Sequence, residues 1–429
     1  MSVPRHARTR KRHLLLGRSF TRLQTGFTLA SSGDGFALGA VPLLAVVVDP
    51  HPLAVSTVVT ADLVPWIVMA GPAGALADRF VKGLVMSVSN ATRAAVLLAA
   101  AFLVSTHRID LVLLICAVLL NSACRAVYYS ALQATIPQMV PRESLERANG
   151  ILTGTEAAAE HVAGPVVGAA SFAALRALPF FADAAAMVLS SVSVIKLDRS
   201  SERCESPNRG SIWGGARLLW GDRRLRLLLF TLSSLCGLQG LVAGILVLVA
   251  TRDWGVHPGA YGLFLAAGAI GTVPGALMVE RLVSRVGSAV TLISSAVVLS
   301  GAYLVMATSH TWVMAGAAFM VTGFGIGASS VVATSMRQRL TPQELMGRVG
   351  SAWRGVVWGA APVGALAAGS LAVLGGLRLP IFLAGALQLL VIAVLARPLL
   401  HVLPEAGSTE AEAGAEAQDE ALQPPRVLA

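Results

Sequence analysis

Charge is what this 429-residue chain has little of: Asp, Glu, Lys and Arg make up 13% of it, about half the share in an ordinary soluble protein. A solvated globular body is thereby excluded. Cysteine is equally scarce. Cys116, Cys124 and Cys236 lie in apolar stretches and Cys204 in a polar one, with neither a disulfide pattern nor a metal-ligand spacing. No Gly-x-x-x-x-Gly-Lys-Ser/Thr loop occurs, so a nucleotide-driven pump is excluded within the chain. A nucleophile elbow and a His/Cys metal motif are also missing. An enzyme is therefore not expected, and neither a metal nor another cofactor is called for. Only Lys11, Lys82 and Lys196 are lysines; the preference for arginine reads as compositional bias.

Hydrophobic residues, by contrast, make up 55%, and the mean hydropathy is +0.71. They fall into runs of about 20 residues, the length that crosses a bilayer core of about 30 Å. Twelve spans are expected, at 24–48, 55–77, 84–106, 109–131, 149–172, 177–197, 226–250, 258–279, 287–308, 311–335, 349–374 and 379–400. The fold class is thus all-α integral membrane, a six-helix bundle over 24–197 and a second over 226–400. A basic tail precedes them at 1–23. Between them, the loop 198–225 alternates Ile212, Trp213, Leu218, Leu219 and Trp220 with Arg217, Asp222, Arg223 and Arg224, which reads as an amphipathic surface helix tethering the halves. The acidic segment 401–429 has no periodicity and is expected to be disordered.

Two stretches repeat at one offset. Gly74-Ala75-Leu76 recurs as Gly275-Ala276-Leu277, and Pro141-x-Glu143-x-x-x-Arg147 recurs as Pro342-x-Glu344-x-x-x-Arg348, each 201 residues later. Paired halves of this kind usually enclose a solute pathway at their interface. The basic residues set the orientation. The tails and loops on the side of the termini, with the span ends that adjoin them, hold 27 Lys and Arg, against Arg108, Arg176, Arg252 and Arg378 on the other side. Both termini are therefore expected in the cytoplasm of a cell whose plasma membrane the chain crosses. The net charge of +10 has this topological meaning, and no nucleic-acid partner is expected.

Charges inside the spans stand out, because an ionised carboxylate at the bilayer centre costs about 2.5–3.5 kcal/mol on insertion scales. At 1.5 Å per residue, Asp34 lies about 15 Å into span one and Glu160 about 16 Å into span five. Both are suited to binding and releasing protons. Glu156 precedes Glu160 by four positions and shares its helix face. Arg125, about 10 Å from the cytoplasmic end of span four, either holds Glu156, Glu160 or an anionic substrate, or extends to the surface. Asp62, Asp183 and Arg354 lie nearer span ends, where structural roles are expected.

The run Gly74-Ala75-Leu76-Ala77-Asp78-Arg79-Phe80-Val81-Lys82-Gly83 resembles the signature loop of the major facilitator superfamily, departing from it at Val81 and Gly83. The resemblance implies a close helix contact at Gly74 and a conformational latch through Asp78, able to cap a helix start, and Arg79. Arg93 in Asn90-Ala91-Thr92-Arg93, opening span three, and the run Glu344-Leu345-Met346-Gly347-Arg348-Val349 resemble the enterobactin-exporter and macrolide-efflux branch. Gly164-Pro165-x-x-Gly168-Ala169 is similar to the antiporter motif of proton-driven exporters and implies a gate at Gly164 and Pro165. Together these imply two pseudo-symmetric bundles in the major facilitator fold and a secondary exporter, acting as a monomer, that exchanges an amphipathic drug, macrolide or siderophore for protons, with the proton gradient as its only energy source. A lipid or lysophospholipid transporter of the same fold and a non-transporting membrane sensor remain open.

The topology is testable without any substrate. In a cysteine-free background, Arg108→Cys is expected to react with a membrane-impermeant maleimide in intact cells, and Arg285→Cys only after permeabilisation. The opposite pattern would invert the orientation.

Overall fold

The computed structural model describes residues 17–141, 144–195, 197, 212–342 and 345–402. The regular structure among them is helical. The first bundle comprises α1 (Gly17–Val48), α2 (Pro52–Val68), α3 (Ala70–Arg79), α4 (Lys82–Ser105), α5 (Leu111–Met139), α6 (Leu145–Thr155), a π-helical segment (Glu156–Ala163), α7 (Gly164–Ala174) and α8 (Leu178–Ile195). The tether helix α9 (Ile212–Gly221) follows. The second bundle comprises α10 (Arg223–Ala243), short turns over 246–253, α11 (Tyr261–Thr308), α12 (Trp312–Leu340), α13 (Met346–Gly375) and α14 (Leu379–Val402).

Nine described helices are long and apolar enough to cross a membrane, or ten if the bent pair α2–α3 is one span. The expected spans map onto them unevenly. Expected spans eight and nine are merged in the 48-residue α11, which turns at Gly287, where φ is +82° and glycine has no Cβ penalty. Expected span five is α6, the π segment and α7 in succession. The basic tail to residue 16, most of the central loop (198–211) and the acidic tail from 403 lie outside the described residues.

The repeat is visible in the backbone. Ser144 and Leu345, 201 apart, cap their helices at φ/ψ of −105/−2° and −104/−2°. Their amides reach back to the Pro141 and Pro342 carbonyls at 2.9 and 3.0 Å. Packing between the bundles follows the same relation, with α2 on α13 and the π segment and α7 on α11. An offset of six spans converts one pair into the other.

These seams are built from small residues. A Cβ on Gly262 would collide with the Pro165 carbonyl oxygen, and one on Gly35 with Gly164 and the carbonyls of Ala159 and Glu160. Spans one, five and eight therefore approach at backbone distance on the Gly164-Pro165 run. Along the other seam, Gly369 of α13 faces Pro52, Leu53 and Ser56, and Trp358 meets Trp66 with ring centroids 6.4 Å apart. Beyond Trp66 the chain bends by 52° into α3. Arg252 donates to the Pro50 carbonyl at 3.0 Å, and Arg378 pairs with Asp253 at 3.0 Å. Two of the four arginines of the sparsely charged loops thus tie down one end of the molecule.

Here the repeats differ. A Cβ on Gly275 would strike the Phe324 carbonyl, but nothing lies within 4 Å of one on its counterpart Gly74. The close contact expected at Gly74 is not made, because α3 swings out at the 52° bend.

Filling the tightest seam should cost stability. Gly262→Leu is expected to lower the melting temperature of the purified protein by an amount equivalent to about 1–3 kcal/mol of overpacking. Gly301→Ala, whose Cβ would meet nothing, should melt with wild type. Equal melting of both variants would refute the close packing at Gly262.

Candidate functional site

Four ionisable residues picked from separate spans meet in one place. Asp34 accepts from Arg93 Nη2, and its other oxygen lies 3.3 Å from Arg125 Nε. Arg125 also donates to Glu160 Oε1. Arg93 is fully buried and Asp34 is 5% exposed. An unmatched charge at such a depth would be costly, and here each guanidinium has a carboxylate, while polar side chains take the remaining donors of Arg93. Arg93 Nε donates to Asn121 Oδ1 at 3.1 Å, and Nη1 to Asn90 Oδ1 at 3.3 Å. Asn90 in turn donates to Ser190, which donates to the Gly26 carbonyl. The network fastens α1, α4, α5 and α8 together, and Arg125 extends it to the π segment.

From there the site faces the seam. Arg125 sits over the Trp66 ring, 5.4 Å from its centroid, a favourable place for a cation. Trp66 packs edge-on to Tyr129 at 5.6 Å, and Tyr129 to Phe27 at 6.1 Å. The Tyr129 hydroxyl donates to Glu156 Oε1 at 2.7 Å. With Trp358 of the second bundle, these rings make an aromatic wall beside the charges. Tyr129, Trp66 and Trp358 carry no charge and sit in ordinary apolar runs, so sequence alone did not single them out.

The π segment arises where Pro165 follows. Proline offers no N–H to the His161 carbonyl four residues earlier and crowds it sterically, so the preceding turn widens to i→i+5 bonding. This brings Glu156, Glu160 and His161 together, with one ligand atom of each within 4.8 Å of the others. In an α-helix, His161 would point about 140° away from Glu156, which is why no metal spacing is visible in the sequence.

Other expectations change. Arg93 does not open its helix. It lies near the middle of α4, about 16 Å from Lys82, because that helix begins at Lys82. Asp78 falls in the last turn of α3, and Val81 is the N-cap of α4. The Asp78 backbone therefore caps no helix start, since the helix-compatible Gly74-Ala75-Leu76-Ala77 run carries on through Arg79. The Asp78 side chain lies outside the described residues, as do Glu344 and the side chain of Arg348, while Gly347 falls in the first turn of α13. Arg79 is exposed and lies beside the Phe80 ring. Gly164 and Pro165 form the three-helix crossing described above. Asp183, expected near a span end, is 1% exposed and packs on Gly33, and neither of its carboxylate oxygens has a hydrogen-bond partner among the described residues.

Removing one partner from a buried ion pair strands the other. Arg93→Leu is expected to cost about 3–5 kcal/mol, measured as a fall in melting temperature, and Arg93→Leu combined with Asp34→Leu should cost less than the sum of the singles. Strict additivity would mean that the two do not act as a pair.

A family profile described as transmembrane secretion effector matches residues 28–425. Over 123 residues the chain is 33% identical to the 4-hydroxybenzoate transporter PcaK of Pseudomonas aeruginosa, a match spanning 28% of this chain and 27% of that relative's length. Solved structures with the same fold include a bacterial homologue of the human lysosomal transporter Spinster, inward-facing and occupied (TM-score 0.73, 13% identity, covering 90% of this chain and 96% of that one). A point mutant of the nucleoside transporter NupG has a TM-score of 0.72 at 13% identity, covering 90% and 100%. A bacterial homologue of the iron transporter ferroportin, inward-facing, has 0.71 at 19%, covering 88% and 98%. The shared arrangement is the major facilitator fold.

Proposed function

The chain belongs to the transmembrane secretion effector family of membrane transporters, and from that premise we propose that it is a proton-coupled exporter of amphipathic small molecules. The observation that carries the reading is the sharing of Arg125 between Asp34 and Glu160. In the ion-paired form described, Glu160 is a carboxylate whose charge Arg125 holds. A proton arriving on Glu160 cancels that attraction, and Arg125 then rests on Asp34 alone. Loss of the proton restores the pair. One side chain thus reports the protonation of span five to spans one and four, the coupling that antiport requires.

Asp34 serves a different purpose in this scheme. It holds two guanidiniums and keeps them in the bilayer whichever state Glu160 is in. The seams at Gly262–Pro165 and at Gly369–Pro52 close the end with few basic residues, while α3, beyond its bend, packs on α2, α4 and α5 of its own bundle. On this reading the termini are cytoplasmic and the state is inward-open, with substrate entering between Trp66, Tyr129 and Trp358. Those rings beside the charged cluster suit an amphipathic drug, macrolide or siderophore with a substantial apolar body.

Everted vesicles with an acid interior test the reading directly. Macrolides, dyes, siderophores and lysolipids are added in turn while the pH gradient is followed. Wild type is expected to dissipate part of the gradient with one class, and Glu160→Gln to dissipate none with that class. Silence across the panel, with insertion verified, would sink the antiport reading. A Glu160→Gln response matching wild type would remove Glu160 from the coupling.

A further inference from the structure

The widened turn before Pro165 does more than bring an acid to Arg125. It gathers two carboxylates and an imidazole on one face of the π segment, with a ligand atom of each within 4.8 Å of the others. Glu160 is 3% exposed, and its Oε2 is buried with no hydrogen-bond partner among the described residues. A buried oxygen without a partner is costly unless something occupies its lone pairs. Glu160 Oε1 is taken by Arg125, and Glu156 Oε1 by the Tyr129 hydroxyl. Both carboxylates are therefore oriented by other groups, the outer support that metal-ligating carboxylates normally have.

Charge points the same way. Asp34, Glu156 and Glu160 face only two guanidiniums, those of Arg93 and Arg125, and Asp62 and Asp183 lie within electrostatic reach of the same pair, so the ionised cluster is short of positive charge. Arg125 need not block a cation, because Asp34 already lies 3.3 Å from its Nε and can keep the guanidinium. An imidazole with two carboxylates is a mixed nitrogen and oxygen donor set, suited to divalent first-row ions and poor in the thiolates that softer ions prefer. Three protein ligands also leave coordination positions for water, as a site that must release its ion requires.

We propose that Glu156, Glu160 and His161 form a binding site for a divalent first-row transition-metal ion. Resting on the export reading above, the ion is a second class of cargo beside the amphipathic compounds, entering next to the aromatic wall.

The experiment uses the full-length protein in lipid nanodiscs and Co2+ as the probe, with binding followed by equilibrium dialysis and by the ion's visible absorption. One Co2+ per chain is expected, with affinity at least tenfold weaker in Glu160→Gln and in His161→Asn, and unchanged in His310→Ala. His161 is exposed, so its variant should keep the fold even if Glu160→Gln does not. Binding by wild type no tighter than by Glu156→Gln/Glu160→Gln/His161→Asn would overturn the site. In everted vesicles, Co2+ should dissipate the acid-inside gradient with wild type and not with His161→Asn. Binding without this response would overturn the cargo role. An organic compound that dissipates the gradient while Co2+ fails to bind would overturn this inference and leave the export reading standing.

Discussion

The first bundle is organised by one requirement: two guanidiniums buried in apolar surroundings must be matched where they lie. Arg93 has no access to solvent and meets Asp34, Asn90 and Asn121. Those partners come from three helices, so the side chain dictates how α1, α4 and α5 stand relative to one another. Arg125 continues the constraint to the π segment. The second bundle is held differently. There Gly240, Gly244 and Gly364 let α10 and α13 meet at backbone distance, around a core dominated by Leu, Val and Ala. Its described ion pair, Arg378–Asp253, sits at its outer end.

That division assigns the two halves unequal work. Chemistry that depends on charge is concentrated in spans one, three, four and five, and the second bundle supplies an apolar counter-surface with Trp358 at the seam. The inequality extends to shape. Span two bends where its repeat partner stays packed, and Gly74 is open where Gly275 is tight. A duplicated sequence has thus come to hold one half by electrostatics and the other by van der Waals contact.

Much of this was legible from residue type and depth. Asp34, Arg125 and Glu160 stood out because ionisable groups are costly in apolar spans, and the structure joins them. Arg125 was open to a partner on span five, and Glu160 is that partner. The Asp34–Arg93 pair was not readable, since it joins residues 59 apart through a helix packing that no local pattern encodes. Asp183 lies near the start of α8, as expected, but its complete burial was not readable for a related reason. Distance along a span measures depth from the end, whereas burial depends on the neighbour, here the bare backbone of Gly33. The grouping of Glu156, Glu160 and His161 was hidden by the assumption of 3.6 residues per turn, although Pro165, the cause of the departure, was in plain view.

The turn at Gly287 has a mechanical consequence. Spans eight and nine are two helices that meet at the non-helical backbone of Gly287, with no loop between them. With no slack in that connection, a displacement of span eight at its crossing with Pro165 has to be absorbed by the backbone of Gly287 or passed on to span nine and to α14, which packs against it.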